Sequence, residues 1–106
     1  NRRIMGNLVN YVTKLHQSSR FLNSYAWRMS ELEMNLEDAL LKVNAALLLI
    51  TSDDKSFPNI LDTKAEVLWK MGKTEEAINI INESILLVPD SEYYKAQKGK
   101  FLDTSS

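Results

Sequence analysis

At 106 residues, with 44% apolar and 25% charged side chains, the sequence has the size and balance of one globular domain. It has no cysteine, which excludes disulfides, thiolate metal sites and thiol nucleophiles, and its three Gly and two Pro are too few turn residues for an all-β fold. The net charge of −1 is unevenly spread: residues 1–30 hold five basic side chains and no acid, residues 31–92 hold thirteen acids against five lysines, and residues 93–106 hold three lysines and one acid.

From Asn1 onward the pattern is helical. Ile4, Leu8, Val12 and Leu15 recur at helical spacing and predict a leading helix over 3–17. Gln17-Ser18-Ser19 reads as a break, and a second helix is expected from about Phe21 to Leu32. Asn35 suits the N-cap of a third, with Glu37 and Asp38 in the first turn, where the helix dipole favours acids. Thr51–Ser56 is the one clear loop. Pro58 then suits the first position of a fourth helix, which ends near Gly72, a residue able to take the left-handed conformation of a C-cap. Thr74 is placed to cap a fifth helix, closed by Pro89-Asp90. Ser91 is placed to cap a sixth, Glu92–Leu102, before a frayed end over 103–106. The expected fold is all-α: about six helices in antiparallel hairpins, stacked as a short right-handed solenoid.

Self-similarity supports stacking. Leu22-Asn-Ser-Tyr-Ala26 aligns with Leu61-Asp-Thr-Lys-Ala65, and Glu37-Asp38-Ala39-Leu40 aligns with Glu75-Glu76-Ala77-Ile78. Small residues recur at matching places: Ala26 and Ala65, Ala39 and Ala77, Ala46 and Ser84. In a helical hairpin, small residues belong where two backbones cross closely. Residues 58–91 supply Ala65, Leu68, Gly72, Ala77, Ile81, Ser84 and Pro89. At these spacings the segment resembles the tetratricopeptide repeat, a helix–turn–helix unit. Leu61 stands where that family usually has Trp, and Lys64 where it usually has Leu. On this resemblance, residues 20–53 form a divergent copy with Met34-Asn35 in place of the turn Gly, 58–91 a clear one, and 92–102 a polar capping helix with a wet outer face. A looser similarity is to helical-repeat extensions that follow thioredoxin-like domains. A chain that opens on Asn1 reads as part of a longer protein.

No catalytic constellation stands out. His16, the sole histidine, reads as a surface side chain, and no Gly-rich phosphate cradle or calcium loop is present, so neither metal nor cofactor is expected. Two of the three acid pairs, Glu37/Asp38 and Glu75/Glu76, sit at helix starts, where the dipole explains them. Five basic residues spread over thirty positions do not make the dense, aromatic-interleaved stripe that nucleic acid requires. The longest apolar run, Ala45–Ile50, is far short of the roughly 20 residues that span a bilayer. A soluble chain, cytoplasmic or periplasmic, is expected.

The resemblance implies a non-catalytic protein–protein interaction scaffold that binds along the concave face formed by the first helix of each repeat. The candidate residues there are Asn23, Trp27 and Ser30 from one copy and Asp62, Glu66 and Trp69 from the other. Asp62 and Glu66 would make the groove acidic and the tryptophans would make it aromatic, favouring a basic or apolar segment of a protein or peptide. The alternative for both tryptophans is packing between helices as core aromatics. Alternative functions are a self-association segment forming a homodimer, or a regulatory appendage of an enzyme.

Overall fold

The computed structural model describes the backbone of residues 2–105 and the side chains of residues 8–103. Five helices follow one another: α1 (Arg2–Leu32), α2 (Leu36–Leu48), α3 (Phe57–Lys70), α4 (Thr74–Leu87) and α5 (Glu92–Ser105). All regular structure among the described residues is helical, and none of these helices is long and apolar enough to cross a membrane.

The expected break at Gln17–Ser19 is absent, so the helices expected over 3–17 and 21–32 are one 31-residue helix and the count falls from six to five. The reason lies in Ser19. Its side chain is buried against α2, and its Oγ donates to the carbonyl of Ala46 at 3.0 Å. A small polar residue that reads as a loop former in isolation therefore serves as a close-contact point inside a helix. At the other end, α5 continues to Ser105, past the expected stop at Leu102.

α1 and α2 run antiparallel. Ser19 meets Ala46, whereas later in α1 Tyr25 Oη donates to Asp38 Oδ2 at 2.6 Å, earlier in α2. α3 and α4 pair the same way: Pro58 O accepts from Ser84 Oγ at 2.8 Å, while Leu68 and Ala77 share a core cluster near the turn. The small residues aligned between the two copies are all buried: Ala26, Ala39 and Ala46 in one hairpin, Ala65, Ala77 and Ser84 in the other.

Both hairpin turns use the same backbone device. After α3, Lys73 N–H bonds Leu68 O and Gly72 N–H bonds Trp69 O, with Gly72 at φ 82°. After α1, Met34 N–H bonds Met29 O and Glu33 N–H bonds Ser30 O, with Glu33 at φ 53°. Each is the paired six-to-one and five-to-two pattern that closes a helix through one left-handed residue. Glu33, not Met34 or Asn35, thus stands in the place of Gly72. Asn35 is also left-handed, at φ 51°, and caps α2 through its backbone carbonyl to Ala39 N without a side-chain bond. Lys73 rather than Thr74 precedes α4, and Phe57 rather than Pro58 opens α3. Ser91 caps α5 as expected, its Oγ accepting from Tyr94 N–H at 3.2 Å.

Two apolar clusters result. One joins α1, α2 and α3 around Ala26, Val43 and Ile60. The other joins α3, α4 and α5 around Leu68, Ile81 and Phe101. α3 belongs to both, which is why nine of its residues are buried and it is the most enclosed helix.

Candidate functional site

α3 offers its neighbours two faces, and a third side of it, with α1 and α5, walls a cleft of about 390 Å³. α1 contributes Asn23, Trp27 and Glu31, four apart, and beside them Ser24 and Arg28, also four apart, two neighbouring rows along one side of the helix. α3 contributes Asn59, Asp62 and Thr63, and α5 contributes Tyr93. Arg28 and Glu31 form an exposed ion pair at 3.8 Å on the α1 wall.

Of the six residues singled out from sequence, the cleft includes Asn23, Trp27 and Asp62. Ser30 is fully buried, and its Oγ donates back to Trp27 O at 2.7 Å, as helix serines commonly do. Glu66 and Trp69 lie under α5. Gln97 Nε2 donates to Asp62 Oδ1 and to Glu66 Oε2, both at 3.0 Å, and Lys100 Nζ donates to Glu66 Oε2 at 2.9 Å. Trp69 packs on Phe101 with ring centroids 5.5 Å apart, and Lys100 Nζ lies 4.5 Å from the Trp69 centroid. The two tryptophans therefore part ways: Trp27 is on the cleft wall, whereas Trp69 belongs to the packing of α5 on α3.

The acids are not the open charges that a groove lined by Asp62 and Glu66 would present. Both are nearly closed to solvent, Asp62 at 2% and Glu66 at 6% exposure. Burial raises the Asp62 carboxyl to about 6, against the opposing pull of its Gln97 hydrogen bond, and the neighbouring Glu66 charge adds to the rise. Burial, followed by the Asp62 and Glu66 charges, pushes the Tyr93 hydroxyl up to about 12. Above about pH 6 the α3 wall therefore carries the ionised Asp62 carboxylate, with the Tyr93 phenol still protonated, and the α1 wall carries the Trp27 indole.

The inward-facing polar side chains of α5 are what sequence reasoning missed. Gln97 and Lys100 were expected on a wet outer surface, but they meet the two acids of α3. A signal was present. Asp62 and Glu66 are one turn apart on a helix otherwise rich in apolar residues, and Gln97 and Lys100 are three apart on α5, a matching pair of complementary groups.

His16 Nε2 is 3.1 Å from Asp54 Oδ2, fastening α1 to the Thr51–Ser56 loop. Ser56 holds the same carboxylate through its backbone N–H and Oγ, and these bonds keep Asp54 below the usual carboxylate range. Among the described residues no group of His, Cys, Asp or Glu could hold a metal ion. Comparison with known proteins finds no family model, no curated relative and no solved structure that matches this chain.

Proposed function

We propose that the chain is a non-catalytic protein–protein interaction scaffold of the tetratricopeptide kind, its α1–α2 and α3–α4 hairpins stacked as repeats of a short solenoid with α5 as the next first helix. The observation that carries this reading is the cleft on the side shared by α1, α3 and α5, the first helices of the successive units. The same hydrogen-bond pattern at the Glu33 and Gly72 turns and the buried small residues at matched positions support the repeat itself.

The cleft suits a segment in extended conformation that carries a basic or amide-bearing side chain. Exposed Asn59 and Glu31 offer acceptors along two walls, and Trp27 offers a half-buried aromatic surface of the kind that dominates binding energy at interfaces.

The test is selection of peptides from a displayed random library on the wild-type chain, followed by titration of the selected peptides against Trp27→Ala. Truncating a central aromatic anchor costs 2 kcal/mol or more, about a thirty-fold loss of affinity. Selected peptides that bind Trp27→Ala and wild type equally would place the interaction elsewhere and remove the cleft from consideration.

A further inference from the structure

α5 meets α3 and α4 with two kinds of contact. Tyr94 and Phe101 are its apolar anchors, and Phe101 is fully buried in one cluster with Leu68 and Ile81. Between them on the same side of the helix stands Gln97, whose amide nitrogen donates to Asp62 Oδ1 and to Glu66 Oε2, both at 3.0 Å. Lys100 Nζ reaches both Glu66 oxygens, at 3.0 Å to Oε1 and 2.9 Å to Oε2. This clasp is short of one positive charge. Two carboxylates, one turn apart on α3 and nearly closed to solvent, share a single ammonium, and that ammonium sits on Glu66. Asp62 has neutral donors in Gln97 and, with a weaker pull, the Tyr93 hydroxyl, while Tyr94 is the second phenol near it. Across the cleft α1 presents Arg28 and Glu31, which are paired with each other.

We infer that α5 is a proton-dependent latch, docked firmly on α3 while Asp62 holds a proton and loosened when that proton is lost. A proton on Asp62 leaves one carboxylate facing one ammonium, so the docked clasp is balanced. Without it, docking encloses a charge that no cation matches, and lifting α5 returns that charge to water. The opening is local because the core is divided. α5 contributes no residue to the cluster around Ala26, Val43 and Ile60, so the packing of α1, α2 and α3 persists when α5 lifts. What opens is the other cluster: Phe101 leaves Leu68 and Ile81, and Trp69 loses the ring stacked on it. Tyr93 leaves the wall of the cleft in the same motion. The latch does not depend on the function proposed for that cleft.

The experiment is amide hydrogen exchange of the full chain, read as protection factors so that the intrinsic effect of pH is divided out. With Asp62 at about 6 docked and 3.8 undocked, protection along α5 should fall about ten-fold between pH 5 and pH 7.5. At pH 7.5 the α5 amides should be at least about ten-fold less protected than the core amides of α2, and low urea should change their exchange less, because a local opening exposes less surface than global unfolding. Asp62→Asn should abolish the fall with pH. The comparison isolates this carboxyl, because every other titrating group is common to both proteins. Equal protection and equal urea dependence in α5 and α2 would mean that α5 opens only with the whole chain, and would overturn the latch. So would wild-type α5 protection that does not fall between the two pH values, a reading that needs no variant. A fall that persists in Asp62→Asn would overturn it as well, by placing the responsible proton elsewhere.

Discussion

Lys100 Nζ on α5 sits 2.9 Å from Glu66 Oε2 on α3, and this contact closes a carboxylate that is otherwise shut away from water. Removing the cation alone leaves the carboxylate buried without its charge partner. A fully buried pair broken in this way costs about 3–5 kcal/mol, but the Lys100 side chain keeps partial access to solvent, so Lys100→Met should cost less, about 1–3 kcal/mol. The double variant Lys100→Met/Glu66→Gln should recover much of that loss, because no charge is then left uncompensated. Urea denaturation of the single and double variants measures both. A double variant no more stable than Lys100→Met would show that the ion pair is not what holds α5.

The neighbouring Asp62 gives a pH dependence of definite sign. Its folded-state carboxyl titrates near 6, above the ordinary value of 3.8, so the folded state holds a proton that the unfolded chain has lost. Its contribution to stability is therefore fully present below about pH 4 and is lost as pH rises through about 6. Asp62→Asn keeps an acceptor for Gln97 and carries no charge to desolvate. The variant should be more stable than wild type at pH 7.5 by about 1–3 kcal/mol, and the difference should vanish near pH 4. Thermal melts of both proteins between pH 4 and 8 give the curve, and a wild-type advantage at pH 7.5 would refute the assignment.

The two turns offer a comparison internal to the chain. An added Cβ at Gly72 meets nothing within 4 Å, so Gly72→Ala is strained only by its φ of 82° and should cost about 1 kcal/mol. Glu33 occupies the same place at φ 53° and already bears a Cβ. Glu33→Ala should lose only an exposed ion pair to Lys70, well under 1 kcal/mol. Denaturant midpoints should thus shift clearly for Gly72→Ala and barely for Glu33→Ala. Equal shifts would mean that the turns are not equivalent.

What was legible in the sequence follows from this asymmetry. The α3–α4 hairpin was readable because each of its devices is carried by a residue with a narrow physical meaning: Gly72 for the left-handed turn, and Ala65, Ala77 and Ser84 for close crossings. The first turn hid its left-handed residue behind Glu33, a residue type that rarely adopts this conformation, so no composition signal marked it. The cleft was half legible. Helical spacing placed Asn23, Trp27 and Asp62 correctly along their helices, but which of the acids would be covered depended on α5, whose Gln97 and Lys100 look like solvent-facing residues until Asp62 and Glu66 are set opposite them. The continuity of α1 failed for a related reason. Ser18 and Ser19 are weak helix formers by propensity, and only the tertiary partner Ala46 makes a helical Ser19 favourable.

That last point can be tested at Ser18, which is exposed. If 17–19 were a loop between two helices, proline there would be tolerated. In a continuous helix, proline at 18 removes the N–H bond to the carbonyl four residues back and clashes with that carbonyl, costing about 3 kcal/mol or more. Ser18→Ala, by contrast, should stabilise the chain by roughly half a kcal/mol through helix propensity alone. The pair separates backbone from side-chain effects, because neither variant removes a buried contact. Ser18→Pro should lower the melting temperature steeply and reduce ellipticity at 222 nm, since it interrupts the helix between the turns before residue 18 and the Ser19–Ala46 contact. Ser18→Ala should raise the melting temperature slightly. A Ser18→Pro protein with wild-type helicity and melting would restore the break between two helices.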